Sequence, residues 1–145
     1  MKKLSISFLL CFSFLYLNNE AGSFESLELS FSEERMVTYA KSIGIKYIDV
    51  MVAQSRIETG WYSSRVFLEG ANLFGMKVAK QRPTTASGEH RRHARYSDWF
   101  RSVQDYKLWQ EMVLTKVESK KEYMNYIAKH YAQNPNYLNL IKKQI

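Results

Sequence analysis

Between Lys77 and Tyr96 the chain loses the helical spacing of apolar residues found on either side. The stretch holds Pro83, Thr84, Thr85, Ser87 and Gly88 among many charges, a composition that breaks helices and suits a hairpin or an extended excursion. Ahead of it, Ser30-Phe31-Ser32-Glu33 reads as a capping box opening a helix through Met36, Val37 and Ala40, stopped near Gly44. A second helix is predicted from about Lys46 to Thr59, with a partly periodic stripe of Ile48, Met51, Val52 and Ile57 and with Gly60 as its stop. Residues 61–76 mix aromatics, serines and glycines and read as short helical turns and loop. After the excursion, Ser97-Asp98 supplies an N-cap, and Phe100, Val103, Leu108, Met112 and Val113 continue a helix. Another helix is expected over about Lys120 to Tyr131, broken by Asn134-Pro135, and a short last one over Tyr137 to Lys143. The expected class is α+β, mainly helical, with one small β element in the middle.

The first residues follow other rules. Met1-Lys2-Lys3 is a short positive start, and Leu4 to Leu17 is apolar apart from three serines and Cys11. A run of about fourteen such residues is short for a bilayer span and has the length of a signal-peptide apolar region. Residues 1–21 are therefore expected to be a signal peptide, cleaved after Ala21; the alternative is an uncleaved membrane anchor. Residues 24–145 are expected to form a single domain, and nothing in them repeats. Cys11 is the only cysteine, so a cleaved chain holds no thiol. That excludes disulfides, cysteine nucleophiles and thiolate metal sites.

The net charge is +7, and removing residues 1–21 takes away two lysines and one glutamate, leaving +6. A basic exported protein suits an anionic partner such as a cell wall, a membrane surface or nucleic acid. The basic residues are spread along the chain without forming one stripe, and export disfavours nucleic acid. His90-Arg91-Arg92-His93 spaces two histidines by three, a spacing compatible with metal ligation. No third ligand is adjacent in sequence, so no metal and no cofactor is expected. The same basic run, with Arg95, is either a contact for acidic wall polymers or a solvated hairpin.

Glu58 stands at the end of the second helix, where the helix dipole disfavours a carboxylate. Its neighbours Ile57 and Trp61, with Phe74, are apolar, and desolvation raises the pKa of a carboxylic acid. A glutamic acid still protonated near neutral pH is what glycosidic cleavage requires of its general acid. The plainer reading is a solvated residue at a helix stop. Gln54 lies four positions earlier, on the same helical face.

Four segments resemble one family. They are A-Q-x-x-x-E-T-G at Ala53–Gly60 with Ser64 after it, and N-L-F-G-M-K at Asn72–Lys77. Y-x-x-W-x-x-S-V-x-D-Y follows across Tyr96–Tyr106, then Y-A-x-N-P-x-Y at Tyr131–Tyr137. In this order, over about residues 30–142, they resemble the glucosaminidases of glycoside hydrolase family 73, which include flagellar-rod and autolysin-type peptidoglycan hydrolases. The resemblance implies a lysozyme-like fold with a small β-hairpin lobe over the cleft. It implies an exported enzyme, in the periplasm, outside the cell or in the wall, that cleaves the β-1,4 bond after N-acetylglucosamine in peptidoglycan glycan strands. Glu58 matches the catalytic acid, Tyr137 an aromatic near the scissile bond, and Asn72 and Phe74 the cleft-lining element. Gln54, Trp61 and Tyr106 complete the expected substrate-binding set, although Phe74 reads equally as core and Tyr106 reads more readily as a buried packing residue. The protein is expected to act as a monomer, without nucleic acid and without stable membrane insertion once cleaved.

The chain departs from the family where many members carry a second glutamate in the β-lobe. Gln81-Arg82-Pro83-Thr84-Thr85 has no carboxylate, and Glu89 is the only acid between Lys77 and Tyr96. Glu89 is thus the candidate second catalytic group, its alternative being a solvated hairpin tip. Inverting, retaining and substrate-assisted routes all stay open. The competing function is a non-catalytic wall-binding module on the same fold.

Overall fold

A computed structural model describes residues 30–145. The expected signal peptide lies outside the described residues. The element order is α1 (Glu33–Ser42), α2 (Ile48–Thr59), α3 (Arg65–Gly70), β1 (Gly88–His90), β2 (His93–Arg95), α4 (Trp99–Leu114), α5 (Lys120–His130) and α6 (Tyr137–Lys142). The class is α+β and mainly helical, with one two-stranded antiparallel sheet among the described residues.

Helix α2 runs between two apolar clusters. Met51 and Val52 face Met36, Ala40, Phe74, Trp99, Val103 and Tyr106. Val50 and Ala53 face Val113, Tyr123, Ile127, Tyr137 and Ile141. A helix buried on most sides has no single apolar stripe. That is why the predicted stripe was only partly periodic: Ile48 and Ile57 are half-buried, while Val50 and Ala53, outside it, are core.

The caps explain the helix boundaries. Ser32, not Ser30, opens α1: its hydroxyl accepts from the Arg35 N–H at 3.2 Å, which places Glu33 and Glu34 in the first turn, at the positive end of the dipole. Asp98 opens α4 as expected, accepting from the Arg101 N–H at 3.0 Å. Helix α2 begins two residues later than expected, after a left-handed Tyr47 with no side-chain cap. Gln110 of α4 instead takes the Lys46 N–H on its Oε1 at 2.8 Å and donates to the Lys46 carbonyl at 2.9 Å.

The predicted excursion is shorter than its sequence span. Only residues 88–90 and 93–95 pair, in the register Gly88↔Arg95, Glu89↔Ala94 and His90↔His93. Arg91 and Arg92 form the turn with φ of 52° and 61°, the double left-handed geometry that matches strand twist in two-residue hairpins. Residues 77–87 are irregular but pinned. Buried Asp105 on α4 accepts from Arg82 at 2.8 and 3.1 Å, from the Thr85 N–H at 3.2 Å and from the Tyr96 hydroxyl at 2.7 Å.

Candidate active site

Glu58 occupies the last turn of α2. Its backbone is followed by three left-handed residues, Gly60, Trp61 and Tyr62. For the two that are not glycine this conformation costs about 1–2 kcal/mol each, and local bonds hold it. The Thr59 hydroxyl accepts from the Tyr62 N–H at 2.8 Å, and the Tyr62 hydroxyl donates to Glu33 at 2.6 Å. Arg56, paired with Glu33 at 2.8 Å, lies 4.8 Å from the centre of the Trp61 ring. This tight reversal leaves Trp61 60% exposed.

The carboxyl of Glu58 is half-buried. Its Oε1 accepts from the Tyr137 hydroxyl at 2.7 Å. Its Oε2 lies against Gly75, where an added Cβ would come within 3.0 Å. Gly75 has φ of 62°, so both its conformation and the space around it favour glycine there. Burial is the largest influence on Glu58 and pushes its carboxyl above the ordinary carboxylate range. The Tyr137 hydrogen bond and the charge of His93 act the other way without cancelling it. Burial and the neighbouring Glu58 in turn drive the Tyr137 phenol far above its usual value, so it stays a proton-bearing donor.

Asn72 fastens the hairpin beside this carboxyl. Its Nδ2 donates to the carbonyls of Met76 at 2.9 Å and Ala94 at 2.7 Å, and its Oδ1 accepts from the N–H groups of Phe74 and Met76 at 3.2 and 3.1 Å. The Ala94 N–H also donates to the Met76 carbonyl at 2.8 Å. Strand β2 is thus stitched to the Gly75 turn, which brings His93 into the field of Glu58. From the sequence, His93 reads as a metal candidate or as part of a basic run, not as a neighbour of Glu58. Its signal, a histidine directly after a hairpin turn, gains meaning only once β2 is placed.

Of the five expected substrate contacts, Gln54, Phe74 and Tyr106 are 0% exposed and Asn72 is 1% exposed, while Trp61 is on the surface. Phe74 packs its ring 4.3 Å from that of Tyr106, and its carbonyl accepts from Tyr131. Asn72 has spent its amide on the fold. These residues shape the site from behind, and Trp61 is the one on the surface. Gly75 also lines a cleft of about 350 Å³, with Met76, Lys77, Arg82, Trp109, His130 and Tyr131 among its walls.

The other acids are differently placed. Glu89 is exposed on β1, opposite Ala94. Glu69 accepts from Arg91 at 3.0 Å and pairs with His90 at 2.8 Å, which hold its carboxyl below the ordinary range, the wrong direction for an acid catalyst. Asp98 is a helix cap. Among the described residues no three His, Cys, Asp or Glu side chains gather closely enough to hold a metal ion.

The family model for glucosaminidases, described as mannosyl-glycoprotein endo-β-N-acetylglucosaminidase, matches residues 33–145. This chain belongs to the glucosaminidase family. It is a glycoside hydrolase of the endo-β-N-acetylglucosaminidase type. No curated protein matches the glucosaminidase chain. Among solved structures it is similar to the catalytic domain of the autolysin Auto from Listeria monocytogenes, with 18% identity and a TM-score of 0.46, over 100% of this chain and 95% of that one.

Proposed function

We propose that this glucosaminidase cleaves the β-1,4 bond after N-acetylglucosamine in peptidoglycan, with Glu58 as general acid. The observation that carries the reading is the Glu58 carboxyl itself. It is desolvated at a helix end, fixed by Tyr137 on one oxygen and by the Gly75 turn on the other. Raised above the ordinary range, it keeps a proton into the pH region where a carboxylate elsewhere has lost one. It gives that proton to the departing sugar oxygen as the anomeric carbon develops positive charge. Trp61 offers an exposed aromatic face to a pyranose ring, backed by Arg56. Tyr137 orients the acid beside the scissile bond.

Glu89 is the carboxylate available in the lobe for the second half of the reaction. The whole domain acts outside the cytoplasm as a monomer, after residues 1–21 are removed. Its basic charge agrees with an anionic wall substrate.

The test is mass spectrometry of digested peptidoglycan. Products with N-acetylglucosamine at the reducing end are expected; N-acetylmuramic acid there would make the enzyme a muramidase. Glu58→Gln should lose on the order of 10²–10⁴ in rate while still binding wall. More than a tenth of the activity left in that variant would place the acid elsewhere. Glu89→Gln separates the routes: a loss of the same order makes it the second group. A loss below tenfold removes it and leaves the substrate's own acetamide as nucleophile.

A further inference from the structure

From Gly75 the chain runs to Ala79 without a turn or bend, and the second half of that run is untied. Met76 is held on both sides: its N–H donates to Asn72, and its carbonyl accepts from Asn72 and from the Ala94 N–H. There the bonding stops. Neither the N–H nor the carbonyl of Lys77, Val78 or Ala79 bonds to any group among the described residues. The next anchor is Arg82, on Asp105. Three consecutive residues with free main-chain donors and acceptors form an edge along which an extended peptide adds as a strand. Main-chain bonds hold such a peptide, and the side chains around the edge select it.

Lys77, Val78 and Ala79 all line the cleft of about 350 Å³ that Gly75 also lines, together with Trp109 of α4 and His130 of α5. No aspartate or glutamate is among its walls. The charge of Arg82 there is already met by buried Asp105, at 2.8 and 3.1 Å. The Lys77 ammonium is different: it is exposed, with no ion pair and no hydrogen bond among the described residues. Val78, Ala79 and Trp109 add apolar surface. The occupant that fits is a short, extended, acidic peptide with a small apolar residue.

Peptidoglycan carries such a peptide at a defined place. In the bond after N-acetylglucosamine the departing oxygen is O4 of the muramic acid, and the peptide stem of that sugar begins at O3, on the adjacent carbon. We infer that the edge Lys77–Ala79 is a subsite for the peptide stem of the departing sugar. The stem lies along the free main chain, and the Lys77 ammonium meets its D-glutamyl carboxylate. Gly75 joins the two places: an added Cβ there would lie 3.0 Å from Glu58 Oε2, and the same residue lines the cleft. The lactyl group and L-alanine that separate O3 from the D-glutamyl residue span two residue lengths, about 7 Å. That is the same advance as from Gly75 to Lys77. The inference rests on the proposed reading of Glu58 and of the bond it cleaves.

The experiment has two arms, both on the full chain. In the first, ¹⁵N-labelled protein is titrated with the N-acetylated stem tripeptide L-alanyl-γ-D-glutamyl-L-lysine. The amides of Lys77, Val78 and Ala79 should shift, and their exchange with solvent should slow. In the second, kcat/KM is measured on stem-bearing glycan strands and on strands stripped of stems by an amidase. Lys77→Ala should lower the ratio of the two by about two- to fivefold, the range of an exposed ion pair, through KM on the stem-bearing strands. Lys80→Ala removes the same charge from an exposed residue outside the cleft and should leave the ratio in place. A tripeptide that moves none of the three amides, or only those of the Arg91–His93 turn, overturns the inference. A ratio unmoved by Lys77→Ala, or lowered equally by Lys80→Ala, overturns it too. Either result leaves the glucosaminidase reading standing if the products still end in N-acetylglucosamine. If the tripeptide binds the edge of a protein that cuts no glycan, the stem site stands and the reading of Glu58 falls.

Discussion

The burial that makes Glu58 costly to the fold is the same burial that suits it to the general-acid role proposed for it. Its folded pKa is raised, so in the window between its unfolded value and the raised one the native state holds a proton that the unfolded chain has released. Stability therefore falls as pH rises through that window, by linkage. Activity falls as pH rises through the upper edge, because only the protonated acid donates. Glu58→Gln removes the first effect together with the second. The variant should melt at or above the wild-type temperature at neutral pH, and the difference should vanish once pH drops below the ordinary carboxylate range. Calorimetry across pH checks this; a variant less stable than wild type at neutral pH would mean the ionised carboxylate is well solvated. Gly75 gives a second residue-level outcome. An added methyl would meet Glu58 Oε2 at 3.0 Å at a position with φ of 62°. Gly75→Ala should thus cost about 1–2 kcal/mol from the backbone alone and should also displace the acid. A variant with wild-type kcat would show that the Glu58 carboxyl tolerates a shift of several tenths of an ångström.

Elements bring these residues together through α4. Asp105 there gathers Arg82, Thr85 and Tyr96, and so fixes both the irregular segment before the hairpin and the turn after it. Burial acts to raise the Asp105 pKa, but hydrogen bonds from Arg82, Tyr96 and Thr84 outweigh it and hold it below the ordinary range. A folded pKa that is depressed contributes stability above the unfolded value, lost as pH falls through the folded one. Asp105→Ala leaves the Arg82 guanidinium without its partner and should cost about 3–5 kcal/mol, read from denaturant midpoints. Residues 77–87 should become the first site of proteolysis. A cost under about 1 kcal/mol, the value of an exposed pair, would show that Arg82 finds water instead. The elements were largely legible in sequence where a local rule decides them: Asp98 as a cap, Gly60 as a stop, the helix break at Asn134-Pro135. The start of α2 was not, because the group that serves Lys46 is Gln110, sixty-four residues away. The hairpin was shorter than its composition suggested, since Asp105, and not strand pairing, orders residues 77–87. At the site, the spacing of Gln54 and Glu58 was readable. The burial of the side chains around them was not readable, because an aromatic in a motif looks the same whether it stands on the surface or packs, as Phe74 does, against Tyr106.

At the scale of the whole molecule, charge and catalysis separate. The positive charge is spread over many elements, and part of it is already spent within the fold. Arg56 pairs with Glu33, Arg82 with Asp105, Arg91 with Glu69 and Lys120 with Asp49. What remains acts at a distance on an anionic wall and is screened by salt, whose Debye length shrinks from about 10 Å at 0.1 M to about 3 Å at 1 M. The acid step proposed at Glu58 would work through contacts of one hydrogen bond in a half-buried site, so it would be screened far less. Two substrates divide the effects. On intact peptidoglycan the initial rate should fall severalfold between 0.1 and 1 M salt, through a rise in KM with kcat held. On a short uncharged oligomer of N-acetylglucosamine the rate should stay within about twofold over the same range. Equal losses on both substrates would show that salt disturbs the site itself and not the encounter. Equal indifference would mean that the net charge of +6 left after removal of residues 1–21 contributes nothing to finding the wall. A salt effect confined to the polymer would place recognition in the field of the whole surface, with bond cleavage left to the few buried groups around Glu58.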